Sequence, residues 1–135
     1  MIRNLEAALQ PLKNLQKNAK QATRQAERTV ANRIAQDAAS AAPGSLANKI
    51  SVQQTEESTT VIGGDELSAY VEFGTGLNAA AFLAGKPEEQ VQEAAKFFVS
   101  GKGTTKSHAF FFPAIYANRD DIIPEVEKEL EKIAQ

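Results

Sequence analysis

The sequence predicts an α+β fold, in which a small antiparallel sheet is packed by a long N-terminal helix and a C-terminal helix. Three observations support this expectation. Residues 1–42 and 113–133 repeat apolar or small side chains at helical spacing, and residues 50–76 contain short runs rich in β-branched residues. A chain of 135 residues has the length of one ordinary domain. We therefore expect residues 1–135 to form a single domain.

The first segment, residues 1–42, predicts one long helix. Pro11 is expected to begin its main part or to kink it, because proline in a helix interior costs about 3 kcal/mol. Pro43 and Gly44 are expected to end it. The apolar stripe becomes rich in alanine beyond Leu15; its members are Ile2, Leu5, Leu9, Leu12, Ala19, Ala22, Ala26, Val30, Ile34 and Ala38.

The length of this helix carries information about its surroundings. A helix over residues 12–41 is roughly 45 Å long at about 1.5 Å per residue. A compact domain of this size is only about 37 Å across. The helix therefore either breaks, or its alanine-rich end packs on another subunit, and we favour the second alternative.

The middle segment, residues 50–76, predicts β-strands. Residues 50–54 and 59–62 are short β-rich runs joined by a polar linker, as in a hairpin. Residues 69–73 are expected to form a third strand, which ends at a Gly-Thr-Gly turn at residues 74–76. Strand alternation would place Tyr70 and Glu72 on one face of the sheet.

The remaining segments are an insertion, residues 77–107, and a C-terminal unit, residues 108–135. Pro87 and the acidic residues after it predict a helix start, with Val91, Ala94 and Phe98 on its apolar side. Residues 100–107 are expected to form a polar loop. Residues 109–112 predict a last strand or extended anchor. Pro113 is expected to open the C-terminal helix, with a kink or short break near residues 120–121 because Pro124 follows.

Composition and charge restrict the function classes. The chain has no cysteine, which excludes disulfides, zinc–thiolate sites and a cysteine nucleophile. No apolar run is long enough for a membrane span, and polar residues near Pro11 argue against a signal peptide. Residues 1–49 carry a balance of +5 charges and residues 50–135 a balance of −7. This asymmetry suits nucleic-acid binding, head-to-tail self-association, or only a solvated helix face.

Candidate catalytic and ligand-binding patterns fail on inspection. Gly101 and Lys102 are followed by glycine, and Lys96 stands where the first glycine of a phosphate-binding loop belongs. Ser107 and His108 are neighbours in an extended segment and would point to opposite faces, which argues against a triad with Asp120. Acidic pairs resemble turns and helix starts rather than metal ligands. We expect no catalytic, cofactor-binding or metal-binding residues.

The three consecutive phenylalanines at residues 110–112 place aromatic side chains on both sides of an extended segment. Both sides must then be covered. Core packing is the simpler explanation, and an interface is the alternative, since aromatic clusters left exposed mark interaction surfaces.

Three segments together resemble a known family. They are Pro43-Gly44-Ser45-Leu46 with Ile50, then Tyr70-Val71-Glu72-Phe73-Gly74-Thr75-Gly76, then Gly103-Thr104-Thr105 with Phe110-Phe111-Phe112-Pro113-Ala114-Ile115. Over roughly residues 35–135 the chain resembles the small tail-completion or head–tail joining proteins of long-tailed bacteriophages and prophages. Members show a Tyr-x-x-Glu-x-Gly-Thr segment and a Pro-Phe-x-x-Pro-Ala entry to the last helix.

This resemblance implies a structural protein of the virion tail or neck, assembled in the bacterial cytoplasm, and not an enzyme. It implies ring self-assembly and docking to connector and tail-tube proteins. A nucleic-acid-binding module using the basic helix is the alternative. The residues expected to matter are Arg24, Arg28 and Arg33 for inter-subunit contact, Phe110 and Phe112 as anchors, Pro113 at the helix entry, and Tyr70, Glu72, Gly74, Thr75 and Gly76 at the strand end.

Glu72 carries a prediction of its own. Packing does not explain a carboxylate between two large apolar residues. We expect it to accept hydrogen bonds locally, from turn amides or Thr75, or to pair with a basic side chain.

Overall fold

The computed structural model describes residues 3–97 and 103–134, which form an α+β arrangement dominated by helices. Ile2, Phe98 and residues 100–102 of the expected loop lie outside this range. The elements are α1 Arg3–Ala41, a 3-10 turn Gly44–Lys49, β1 Ser51–Gln54, β2 Thr59–Ile62, α2 Glu66–Phe73, α3 Gly76–Leu83, α4 Glu88–Ala95, α5 Phe112–Asn118, a 3-10 turn Arg119–Asp121 and α6 Ile122–Ala134. The predicted fold class is confirmed, since α1 contacts both strands and α6.

Helix α1 is continuous over 39 residues, and Pro11 lies inside it rather than at its start. The helix ends at Ala41, before Pro43, as predicted. Its alanine-rich part is buried within this chain, because Ala22, Ala26 and Ala38 are at most 1% exposed. The expectation that this end packs on another subunit is therefore wrong. The part without cover is the N-terminal one, where Leu12 and Leu15 are 57% and 62% exposed.

Helix α6 covers the alanine-rich part of α1. Asn118 Nδ2, at the end of α5, donates to Asp37 at 2.8 Å, and Arg33 Nη2 donates to Glu125 of α6 at 2.9 Å, so the α5–α6 segment runs antiparallel to α1. Arg33 also contacts Asp121 at 3.4 Å. The hydrogen bond from Arg33 is the main reason why the pKa of Glu125 lies below its ordinary value. These polar pairs fix the register between the alanine-rich face of α1 and the helices that cover it.

The predicted hairpin is present. Strands β1 and β2 pair antiparallel, with Ser51 opposite Ile62 and Gln54 opposite Thr59. Thr55 Oγ1 accepts from the amides of Glu57 and Ser58 and stabilises the turn. The sheet contains these two strands and no other among the described residues.

The third predicted strand, residues 69–73, is wrong, because this segment is the C-terminal part of α2. The overlooked signal is Asp65, whose carboxylate accepts a hydrogen bond from the amide of Ser68 at 3.2 Å and caps the helix. Helical turns then place Ala69 and Phe73 on the same buried side. The alternating pattern of residues 70–73, which is typical of a strand, therefore lies inside a helix that begins at this cap.

Of the two alternatives predicted for residues 109–112, a last strand or an extended anchor, the strand is absent. Ala109–Phe111 is irregular, and Phe112 already begins α5. The segment has no strand partner, because its amides bond to a side chain, as described below. The described residues of the 77–107 segment lie in two helices, α3 and α4, and in loops, where one helix was expected. The predicted start beside Pro87 and the break near residues 120–121 are confirmed.

Two apolar clusters lie on either side of the residue 110–112 segment. The first joins α1 to Leu46, Phe110 and Ala114, with Val30 and Phe110 the largest fully buried side chains. The second joins α2, α3 and α4 through Phe73, Ala79 and Ala94. Phe112 packs against the second cluster, and its ring centroid lies 5.9 Å from that of Phe73. The aromatic segment therefore connects the two clusters.

Within the described ranges, α1 included, no helix combines the length and the apolar character needed to span a bilayer.

Candidate functional site

The segment of residues 70–76 forms a clamp on residues 103–112, with Glu72 at its centre. Glu72 is only 3% exposed. Its Oε1 accepts from the amides of Phe110 at 2.9 Å and Phe111 at 2.7 Å, and its Oε2 accepts from the amide of Phe112 at 3.3 Å. We call these three contacts the Glu72 clamp. They satisfy amides at the start of α5 that have no partner within the helix.

The expectation that Glu72 accepts hydrogen bonds from amides is confirmed, but the expectation that these amides are local is wrong. Its partners are amides, yet they lie about 40 residues further along the chain, as the sequence separations of 38 to 40 show. They are neither local turn amides, nor Thr75, nor a basic side chain. Tyr70, predicted to share its face, instead donates its hydroxyl to Glu66 one helical turn earlier.

The ionisation of Glu72 reflects two opposed influences. Burial raises the pKa of Glu72 above its ordinary value, while the three amides and the His108 imidazole act to lower it. Burial is the larger influence, so the net pKa is raised. The Glu72 carboxyl group therefore keeps its proton to a higher pH than a solvated glutamate does.

The Gly-Thr-Gly turn extends the clamp towards residue 103. The amide of Thr75 donates to the carbonyl of Thr105, and Thr75 Oγ1 accepts from the amide of Thr105, both at 2.9 Å. The amide of His108 donates to the carbonyl of Val71 at 2.7 Å. Gly76 begins α3 directly after this exchange. The two segments on which the family resemblance chiefly depends are thus joined along their length.

Gly74 is required at its position for two reasons. Its φ of +79° and ψ of −173° are backbone values that side-chain-bearing residues avoid. A Cβ atom there would also lie 2.9 Å from the backbone nitrogen of Ser107 and 3.0 Å from the carbonyl oxygen of Thr105. Only glycine lets the end of α2 approach the 105–107 backbone this closely.

Gly74→Ala should therefore destabilise the protein more than an ordinary glycine substitution. We expect a loss of about 2–4 kcal/mol in the free energy of unfolding, from backbone strain and the clash with residues 105–107. Urea denaturation would measure it. Gly85→Ala is a matched control, since Gly85 also has a positive φ of +76° but open space around a new Cβ. Equal losses for the two variants would contradict the close approach at Gly74.

The three arginines assigned to inter-subunit contact all make contacts within this chain. Arg24 bonds to Glu27 at 3.1 Å, Arg28 donates to Gln54 Oε1 at 3.0 Å, and Arg33 bonds to α6. The aromatic anchors are also used internally, because Phe110 is 1% exposed and Phe112 is partly buried. Pro113 lies exposed in the first turn of α5, as expected for a helix entry.

A groove of about 590 Å³ borders the clamp between the β2–α2 turn and α4. Its polar lining combines Glu89 and Glu93 with Lys96 and Arg119, and Arg119 Nη1 donates to Glu89 at 2.8 Å. His108 is not among its described lining residues. The described lining therefore does not assemble a triad, and Glu89–Arg119 and Glu93–Lys96 are surface ion pairs.

The longest run of exposed residues in the described part of the chain is residues 9–17 of α1. Leu9, Leu12 and Leu15 are exposed by 38%, 57% and 62%, and Lys13 and Lys17 lie exposed beside them. We call residues 9–21 the arm. Sequence periodicity identified these leucines as part of a buried stripe, and it could not show that the chain leaves this portion uncovered.

Within residues 3–97 and 103–134, no group of three or more His, Asp or Glu side chains lies close enough together to hold a metal ion. A scan against family models and searches of curated proteins and solved structures found no match to this chain.

Proposed function

We propose that this chain is a structural morphogenesis protein of a bacteriophage or prophage, acting in tail completion or head–tail joining. It would assemble into a ring and dock to connector and tail-tube proteins, in the host cytoplasm and then in the virion neck or tail. The observation that carries the proposal is the arm. Over residues 9–21 the helix extends about 20 Å beyond its cover, and such an extension is of little use to a protein that acts alone.

The joined motifs support the same proposal. The Tyr70–Gly76 and Gly103–Ile115 segments resemble those of the tail-completion family, and here they form one clamp held by Glu72 and Thr75. This gives the resemblance a structural reason, because a change in either segment disturbs the other. The motif residues thus build a rigid scaffold, and they leave the arm and the outer helix faces for assembly.

Inactivation of the gene in the phage or lysogen that encodes this chain tests the proposal. We expect induced cells to accumulate filled heads and separate or aberrant tails, visible by negative-stain electron microscopy, with a large fall in infectious titre. Complementation with the unaltered gene should restore both. Normal infectious particles from the inactivated strain would refute the proposal.

A nucleic-acid-binding module is the second candidate, and the row of Lys13, Lys17 and Lys20 on the arm favours it. The arm carries no acidic residue between residues 9 and 21. Such binding must weaken steeply as salt concentration rises, because lysines displace counterions from phosphates. Absence of a gel shift with DNA and RNA at low salt would exclude nucleic-acid binding as the function.

A further inference from the structure

The arm continues the apolar stripe by which α1 packs on its own chain. On a helical projection, with about 100° per residue, Leu9, Leu12 and Leu15 share the side of α1 that carries Ala26 and Val30 further on. Ala26 and Val30 are buried at 0% and 2% exposure, whereas the three leucines are at least 38% exposed. The same helix face is therefore covered in one half and bare in the other.

The chain's own α6 does not reach the bare half. Glu125 lies opposite Arg33 and the helices run antiparallel, so α6, which ends at Ala134, finishes beside about residue 24 of α1. The arm extends beyond this point. Among residues 3–97 and 103–134, therefore, no other element buries the three leucines.

The charge of the arm restricts what that cover can be. Lys13, Lys17 and Lys20 recur at spacings of four and three, and they form a row about 100° around the helix from the leucines. Two arms packed together would bring six ammonium groups close to each other with no carboxylate between them. The surface that fits is apolar with an acidic row along one side.

The outer face of α6 has this character. Ile123 and Leu130, seven residues apart, are 72% and 37% exposed and form an apolar ridge along one flank of α6. Glu127 and Glu131 are exposed about 70° further around the helix. Lys128 and Lys132 lie on the opposite side of α6, where they pair with Glu125 and Glu129 at 3.5 and 3.2 Å.

We propose that the arm of one copy docks, antiparallel, on the outer face of α6 of a second copy. Seen from its N-terminus, each helix carries the charged row on the same rotational side of its apolar row. When two such helices face each other, the charged rows meet only in the antiparallel orientation. Leu9, Leu12 and Leu15 then lie on the Ile123–Leu130 ridge, and the lysine row faces Glu127 and Glu131.

This contact joins two different surfaces of the chain, so a pair of copies keeps one free arm and one free α6 face. Repetition of such a head-to-tail contact gives a ring if the rotation closes and an open filament if it does not. The inference rests on the proposed function in that it names the surfaces by which the ring would form. It also stands separately, since self-association can be measured without any phage component.

Charge reversal on the full-length chain tests the contact. Lys13→Glu/Lys17→Glu/Lys20→Glu reverses the arm, and Glu127→Lys/Glu131→Lys reverses the α6 face. Sedimentation velocity over a range of concentrations should show that the unaltered protein self-associates and that salt weakens its association. Each variant alone should associate at least about tenfold more weakly, because like charges then face each other.

Mixing the two variants gives the decisive result. In the mixture every altered arm can meet an altered α6, and every unaltered arm an unaltered α6, so assembly should return. Glu56→Lys/Glu57→Lys, on the exposed hairpin turn, is the control for a change in net charge and should assemble like the unaltered protein. Circular dichroism and thermal unfolding check that all variants fold.

Three outcomes would overturn the contact. They are an unaltered protein that stays monomeric at high concentration, reversed variants that assemble normally, and a mixture that fails to restore assembly. None of them bears on the gene-inactivation experiment. Loss of joined particles on gene inactivation, together with arm variants that assemble normally, would leave the proposed function standing and remove only this contact.

Discussion

Glu72→Ala should lower the free energy of unfolding by about 3 kcal/mol. The substitution removes the acceptor for the amides of Phe110, Phe111 and Phe112 in a site where Glu72 is only 3% exposed. A buried donor left without a partner costs about 1–3 kcal/mol, and water entering the vacated space would recover part of the total. Urea denaturation would measure the loss. Amide hydrogen exchange should increase most at residues 110–112.

Glu72→Gln is the matched control, since its side chain has the same shape. Its carbonyl oxygen can replace Oε1 and keep the two shorter bonds, at 2.7 and 2.9 Å, while its amino group faces the third amide, that of Phe112. We therefore expect a loss of about 1 kcal/mol. Equal losses for the alanine and glutamine variants would show that the clamp is not held by these hydrogen bonds.

The pH dependence of the Glu72→Ala effect follows from the raised pKa. A carboxyl group whose pKa is higher in the folded state than in the unfolded state binds its proton more tightly in the folded state. Its stabilising contribution is complete below the ordinary value of 4.5 and is lost as the pH rises through the folded-state pKa. The difference in stability between the unaltered protein and Glu72→Ala should thus be larger near pH 5 than near pH 8. A difference that grows with pH would contradict a raised pKa.

The parts of the fold that were predicted from sequence are those decided locally. The long α1, the β1–β2 hairpin, the helix start at Pro87 and the break before Ile122 each depend on residues within a few positions of one another. The helix α2 was locally decidable too, since Asp65 and Glu66 are start signals. The alternation of residues 70–73 nevertheless predicts a strand, and residues 69–73 were therefore assigned to a strand although they are helical.

The candidate site depends on contacts that no local pattern contains. The charge and position of Glu72 showed that it needed partners, but the amides it binds belong to a segment identified only as aromatic. Arg33 was predicted to contact another subunit, whereas its partners here, Asp121 and Glu125, lie about 90 residues away in the same chain. The bare half of α1 was likewise beyond the sequence, because it depends on where α6 ends rather than on the sequence of α1.

Phe110→Ala should have the largest effect of the substitutions considered, a loss of about 3–5 kcal/mol in the free energy of unfolding. Phe110 is 1% exposed and packs among Val30, Ile34 and Leu46. Its removal leaves a cavity between α1 and α5 as well as the loss of its burial. Leu77→Ala, at a side chain that is 87% exposed, is the control and should change stability by less than about 0.5 kcal/mol.

The loss of stability caused by Phe110→Ala should also depend on Glu72, since Glu72 binds the backbone amides of Phe110 and of the two residues after it. The Glu72 clamp fixes the backbone from which the Phe110 side chain enters the first cluster and Phe112 enters the second. Once the clamp is removed, Phe110 is less firmly placed, and the second substitution loses less. In a double-mutant cycle we expect the combined loss to fall short of additivity by about 1 kcal/mol. Additive losses would mean that the clamp and the aromatic segment stabilise the fold independently, and the motif would then not act as one unit.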